Sequence, residues 1–465
     1  MNGSNQLKAP RPGGVGELLA LALPIIISTA CDGIMVFTDR LMLSRLGPDS
    51  MNAAMSGGIS IQVAMFFFIG LTGYSTALAA QYFGAGQKRN SSAAGFQAFL
   101  VALVSVPVVL LWVFPARLIS ARLGIPESQL VLQSQYMTIL AFGSILGMLR
   151  HVVSCYFSGI GKPKIVMAAT LSALTVNVAA GYTLIFGKFG LPQLGIRGAA
   201  IGAVCGWGVA AAILLCAYFG RSNREEFRSR ETLRFDEDIM KKLLRFGYPA
   251  GLELFLNFLS FSAVIQMFQS LGTYVATATT ILFNWDLIAF IPLLGIEISV
   301  TSLVGRHMGA GKTGIAERTV WSAVKTGMVY SAITFVLFAA VPGALVAVFR
   351  PDVPTQSYTD AVPLASSMIR LASLYVLAEA MMCAFVGALR GAGDTFFTMA
   401  WSVSAHWLFF IVLWLMFRVF HFAPLAGWGA VIGIFLCFCA LLYLRFRSGR
   451  WTKISVIGKL EEEAE

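Results

Sequence analysis

Charge is scarce in this chain. Only 12% of its 465 residues are Asp, Glu, Lys or Arg, where a soluble protein carries about a quarter. A globule so poor in polar side chains could not cover itself against water, so lipid is the solvent that fits. Cysteine gives no framework either. Cys31, Cys155, Cys205, Cys216, Cys383, Cys437 and Cys439 are odd in number, lie in apolar runs, show no CxxC spacing and have no histidine cluster beside them. That pattern reads as small core residues rather than a disulfide frame or a metal site. No nucleophile–base pair, metal motif or phosphate loop appears, so neither an enzyme nor a bound cofactor is expected. No cleavable leader is expected: the first twelve residues are polar, and the apolar run from Leu18 continues directly into a long repeated segment. The net charge of +11 does not mark a nucleic-acid binder, because the basic residues are spread over short loops rather than gathered on one polar face.

What is abundant is apolar sequence, 57% of the chain, with a mean hydropathy of +0.76. It is also repeated. A shift of 225 carries Pro24 onto Pro249, Leu46-Gly47 onto Leu271-Gly272, Gly70 onto Gly295 and Gly84-Ala85-Gly86 onto Gly309-Ala310-Gly311 without a gap. Each copy holds two long apolar runs joined by a Leu-Gly turn and ends in a glycine-rich basic loop. Self-similarity of this length implies a duplicated unit, and in membrane proteins it marks a transporter made of two halves.

A membrane span needs roughly 20 apolar residues. Twelve segments qualify: 17–38, 51–82, 93–115, 131–159, 165–187, 196–219, 244–271, 276–305, 319–341, 363–389, 395–420 and 425–446. Lys and Arg favour alternate loops by roughly three to one, which predicts both termini in the cytoplasm. Six spans precede the second copy, so the copies run parallel. The predicted fold is an all-α polytopic membrane protein, with twelve transmembrane helices in two parallel six-helix bundles. Residues 1–16 form a cytoplasmic tail, 17–219 the N-lobe, 220–243 an inter-lobe linker, 244–446 the C-lobe and 447–465 a second cytoplasmic tail.

The chain resembles the multidrug and toxic compound extrusion (MATE) family of transporters over about residues 17–445. The carrying residues in the first half are Pro24, Asp39-Arg40 before Leu46-Gly47, Ala80-Gln81 with Gly84-Ala85-Gly86, Asn177 and Leu194 to Ala200. In the second half they are Pro249, Phe283-Asn284 leading to Pro292, Leu303-Val304-Gly305, Gly309-Ala310-Gly311 and Gly387-Ala388-Leu389-Arg390-Gly391. The resemblance implies export of bulky, often cationic or amphipathic compounds, driven by entry of Na+ or H+.

A carboxylate in the hydrocarbon layer costs ~2.5–3.5 kcal/mol on insertion scales, so each one needs a reason. Asp32, Asp39, Glu253, Asp286, Glu297 and Glu379 lie within spans. Glu379 precedes Gly387-Ala388-Leu389-Arg390-Gly391 at the place where, the resemblance implies, sodium-coupled members carry an aspartate. Tyr375 is one helical turn earlier, also where the family has a tyrosine. A carboxylate, a phenol and nearby carbonyls suit a hard cation such as Na+, and the same carboxylate can carry a proton instead. Glu253 and Asn257 are likewise one turn apart. The family's glutamate position is Asn257 here, and the acid stands at Glu253. Glu253, Asp286, Glu297 and Glu379 together would concentrate negative charge in the C-lobe. In the N-lobe, Asp32 and Asp39 share a helix face, and Asp39 and Asn177 match family positions, while Gly181 stands where some relatives have an aspartate. A local pair between Asp39 and Arg40 is the alternative for that acid. Phe66, Phe67, Phe68, Phe255, Phe258, Phe283, Trp285 and Tyr375 are candidates to line a substrate cavity, since apolar walls with few polar anchors suit bulky guests.

These readings converge on a monomeric secondary antiporter of the cell (inner) membrane, exchanging amphipathic or cationic molecules for Na+ or H+ by alternating access. The alternative is a flippase for lipid-linked or polysaccharide precursors, which would want a strongly basic cavity.

Overall fold

The structure, a computed structural model, describes residues 11–122, 127–350 and 356–457. The ends of both predicted tails, including Lys8 and the acidic run 461–465, lie outside the described residues. Among the described residues twelve helices are long and apolar enough to cross a membrane. In chain order they are α1 (Val15–Ser44), α2 (Asp49–Gly84), α3 (Lys88–Arg122), α4 (Gln129–Gly159), α5 (Pro163–Phe186), α6 (Ile196–Phe219), α7 (Glu237–Gln269), α8 (Thr273–Gly309), α9 (Thr313–Ala340), α10 (Gln356–Ala392), α11 (Thr395–Val419) and α12 (Pro424–Arg447). Several outrun a bilayer's ~20 residues by two turns or more, because the helix continues into the flanking polar sequence or tilts. Arg390, assigned by sequence to a basic loop, is inside α10 instead: nothing after Glu379 breaks the helix before Gly393, whose φ is +97°.

The duplication is visible in the backbone itself. The two Leu-Gly turns place Gly47 at φ +127° and Gly272 at φ +128°, a region closed to other residues. Contacts between the lobes repeat the same relation. A side chain at Gly84 would collide with the Arg306 carbonyl, and one at Gly309 with the carbonyl of Gln81, the residue 225 before Arg306. Gly70 packs on Gly251, and Gly295 on Ile26, the counterpart of Gly251. Reciprocal contacts of this kind require a two-fold-like axis between parallel halves. Glycine is needed here because backbone meets backbone.

These contacts close one end of the molecule, the end carrying the glycine-rich basic loops. There the Gln81 side chain donates to the Gly391 carbonyl at 2.8 Å, Ser302 to the Ser158 carbonyl at 2.7 Å, and Lys242 to the Tyr82 hydroxyl at 3.2 Å. The Arg306 guanidinium lies 5.0 Å over the Phe83 ring. Above this closure a cleft of about 390 Å³ runs between the lobes, lined by Ser28, Asp32, Arg150, Leu254, Glu297 and Arg390 among others. A second cleft of about 310 Å³ lies on the N-lobe face around Asp39, Phe66 and Asn177.

The linker is docked rather than slack. Its helix Arg221–Phe227 buries Phe227 against Phe83 and Tyr156, with the Lys162 ammonium 5.1 Å over the ring. Glu226 accepts from Lys162 at 2.9 Å and from Lys88 at 3.1 Å. The hydrogen bond from Lys162, reinforced by Lys88, holds the Glu226 carboxyl below the usual carboxylate range. A depressed acid stabilises the docked state above its unfolded pKa, and that contribution fades as pH falls through the folded value. Hydrogen exchange across 221–232 is therefore expected to be faster in Glu226→Gln than in wild type at pH 7. Corrected for intrinsic rates, the difference should vanish below the ordinary glutamate range.

Candidate functional site

Two helices of the C-lobe bring together three oxygen-bearing side chains in apolar surroundings. α8 supplies Asp286, and α10 supplies Tyr375 and Glu379, one turn apart on one face. The Tyr375 hydroxyl donates to Asp286 Oδ1. Its ring is held edge-on between Trp428, at 6.0 Å, and Phe435, at 5.4 Å, so the hydroxyl has little freedom to leave. Glu379 is only 5% exposed, and its Oε2 is buried with no hydrogen-bond partner. Tyr375 links the two carboxylates, hydrogen-bonded to one and a single helical turn from the other. Among the described residues no Lys or Arg forms an ion pair with either. An oxygen set with unused lone pairs and surplus negative charge can hold a hard cation or a proton.

The other two C-lobe acids stand apart from this pair. Glu297 Oε1 is 2.5 Å from Arg390 Nη1, and Glu253 Oε2 is 3.1 Å from Arg390 Nη2. α8 and α10 approach closely enough for this because Gly387 lies against the Glu297 carbonyl, where any side chain would collide. The four acids are thus two sets, one compensated and one not, rather than a single concentration of negative charge. Asn257 belongs to neither: its amide donates to the Ser402 hydroxyl at 2.8 Å, tying α7 to α11. His406 sits beside this contact, with Nδ1 2.8 Å from the Ser402 carbonyl.

In the N-lobe, the Asn177 amide reaches Asp39 Oδ2 at 3.4 Å, and Oδ1 of each residue is buried without a partner. A Cβ at Gly181 would stand 3.1 Å from the Met42 methyl and 3.7 Å from Asp39 Oδ1, so the Met42 side chain fills the space beside this acid. Asp39 forms no ion pair with Arg40 among the described residues. Asp32, by contrast, is compensated: Arg150 Nη1 donates to its two oxygens at 2.9 and 3.2 Å. One lobe therefore mirrors the other, with one paired and one unpaired acid site in each.

The aromatic candidates divide as well. Phe66 meets Phe258 across the lobes with ring centroids 4.6 Å apart, and Phe66 lines the N-lobe cleft. Phe283 packs into the C-lobe core against Phe261 and Trp428. Trp285 turns away from the cleft, donating to the Leu345 carbonyl at 3.0 Å and packing on Phe349. Trp285 thus has a structural anchor, since its N–H needs an acceptor and finds one at the Leu345 carbonyl. Trp285→Phe is expected to leave substrate affinity unchanged in a binding titration and to cost about 1 kcal/mol of stability for the lost hydrogen bond. Phe255 is half-buried on α7. The cleft residue that the sequence placed outside its span is Arg390. Its spacing offered a signal: it stands 11 residues after Glu379, three turns along the same face of one helix.

Comparison with known proteins follows the same division of the chain. A family described as MatE matches residues 24–183 and again 249–416, and the two matches begin at the two equivalent prolines. Over 448 residues the chain is 28% identical to a probable multidrug resistance protein NorM of Bradyrhizobium diazoefficiens, covering 93% of this chain and 92% of that one. It is 27% identical over 402 residues to the multidrug resistance protein PmpM of Pseudomonas aeruginosa, covering 84% and 81%. Among solved structures, an outward-facing multidrug resistance MATE transporter of the MOP superfamily superposes with a TM-score of 0.85 at 16% identity, over 96% of this chain and 99% of that one. The eukaryotic MATE transporter AtDTX14 gives a TM-score of 0.80 at 20% identity, over 94% and 96%.

Proposed function

We propose, since this chain belongs to the multidrug and toxic compound extrusion (MATE) family, that it exports amphipathic and cationic small molecules in exchange for inward-moving Na+ or H+. The observation that carries this reading is the Asp286–Tyr375–Glu379 cluster. Two carboxylates that have no basic partner among the described residues, each costly in a membrane, stand in one site on helices that pack tightly. A coupling ion that occupies them offsets that cost, and its departure restores it. The relatives' names, multidrug resistance proteins in two bacteria, support the substrate class.

The closed basic end and the cleft above it correspond to one of two arrangements. In the other, the reciprocal glycine contacts part and the cleft opens toward the basic loops, which the charge bias assigns to the cytoplasm. Both termini then lie on the cytoplasmic side of the cell membrane, and a single chain suffices for the cycle. An inward-negative potential supplies about 2.3 kcal/mol per charge per 100 mV, enough to drive export against a modest gradient. The test is transport of a cationic dye by purified protein in proteoliposomes under an imposed Na+ or H+ gradient. Dye movement that depends on one of the two gradients supports the reading. Movement indifferent to both, or none at all, contradicts it.

A further inference from the structure

The compensated acid pair differs from the Asp286–Glu379 pair in what faces the cleft. Of the Arg390 side chain 28% is exposed, against 3% for Glu253 and 8% for Glu297. Arg390 and Glu297 both line the inter-lobe cleft of about 390 Å³, and Glu253 lies behind them. A cation arriving from the cleft therefore meets mainly the guanidinium, the most exposed of the three groups.

We propose that Arg390 is a specificity-determining residue: a tethered cation that occupies the Glu253–Glu297 pair, so that a cationic guest gains those carboxylates only by displacing the guanidinium. This rests on the export reading above. The backbone beneath Arg390 is held firmly. Gly391 accepts from Gln81 across the lobes at 2.8 Å, and Gly387 accepts from Thr301 at 3.2 Å. The side chain is held less. Its Nε is buried with no partner, so among the described residues the two carboxylates are the polar anchors of its side chain, and the adjoining cleft gives the long side chain room to swing. Two acids left buried without a cation are strongly unfavourable. A guest's positive charge, arriving as the guanidinium leaves, keeps them compensated. The facing wall contributes no surplus charge to attract the guest, because Asp32 and Arg150 neutralise one another there at 2.9 Å. Arg390 thus subtracts from the attraction that the acid pair would otherwise exert, and it keeps cations from binding too tightly to be released.

The test is equilibrium binding of ethidium, a lipophilic monocation, to purified full-length protein in detergent at low and high salt. Arg390→Gln is expected to bind ethidium about tenfold tighter than wild type, with a steeper salt dependence, because two carboxylates are uncovered. Arg390→Lys, which keeps the tethered charge, is expected to stay within about threefold of wild type. The double variant Arg390→Gln with Glu253→Gln keeps the site's net charge and guards against misfolding of the single one. It should bind about threefold tighter than wild type, because the competitor is gone while Glu297 remains. Ethidium binding no tighter than wild type in either folded Gln variant would overturn the proposal. Wild-type protein that binds ethidium but moves none in proteoliposomes would instead count against the export reading alone.

Discussion

Replacing Glu379 by Gln is expected to abolish ion-driven export, a loss of about a hundredfold or more in initial rate, while substrate affinity stays within about threefold. Glutamine keeps the length and volume of the side chain, removes the charge and exchanges one acceptor oxygen for an NH2 donor. Glu379 has one oxygen with no partner and no basic neighbour in ion-pair range among the described residues, so little structural support is lost with that charge. The neutral amide even relieves repulsion from Asp286, and the thermal midpoint should hold or rise. Asp286→Asn is expected to act in the same direction. The effects of the two should not add, since both carboxylates serve one ion. Initial rates in proteoliposomes, wild type against each single variant and the double, check this. Unchanged gradient dependence in Glu379→Gln would remove the residue from the mechanism.

Gly84→Val is expected to have the second large effect, far from any charged site. The new side chain would occupy the space of the Arg306 carbonyl, which belongs to the backbone of α8 and has no rotamer to retreat into. Gly309→Val makes the same collision with the Gln81 carbonyl from the opposite lobe. Overpacking of this kind costs about 1–3 kcal/mol where the structure can adjust. Because only the closed arrangement makes the contact, the cost falls on that arrangement alone and shifts the population toward opening at the basic end, by about five- to hundredfold. Spin labels at Gln87→Cys and Lys312→Cys, equivalent loop positions in the two repeats, would report the separation. The distance between them should lengthen in both valine variants, and transport should fall at least tenfold, since the arrangement closed at this end becomes a minor population and the cycle must pass through it. An unchanged distance would mean that the lobes do not part at this seam.

The architecture was legible because its causes are one-dimensional. Span length, the offset that maps Pro24 onto Pro249 and the alternation of basic loops are all properties of residue order, and the helices follow them. The compensation of the acids was not legible. Whether Glu297 is free or paired depends on Arg390, 93 residues away on another helix, and only the close approach at Gly387 brings the two together. The same holds for Asp32 and Arg150, which are 118 residues apart. Trp285 shows a related limit. Its aromatic ring made it a candidate for a cavity wall, but its hydrogen bond to the Leu345 carbonyl depends on how the helices pack, which residue order does not give. Tyr375 and Glu379 were legible as a pair because one helix sets their spacing. Their partner Asp286 required the packing of α8 on α10.

The central claim is that the uncompensated carboxylates of the C-lobe exchange an ion for a guest, and its most direct measurement is substrate binding at graded Na+ and graded pH, without any gradient or membrane. Wild-type affinity for the cationic dye is expected to weaken progressively as Na+ or H+ rises, and the dependence should disappear in Asp286→Asn with Glu379→Gln. Wild-type affinity that is flat against both ions, or a dependence that survives intact in the double variant, would contradict it.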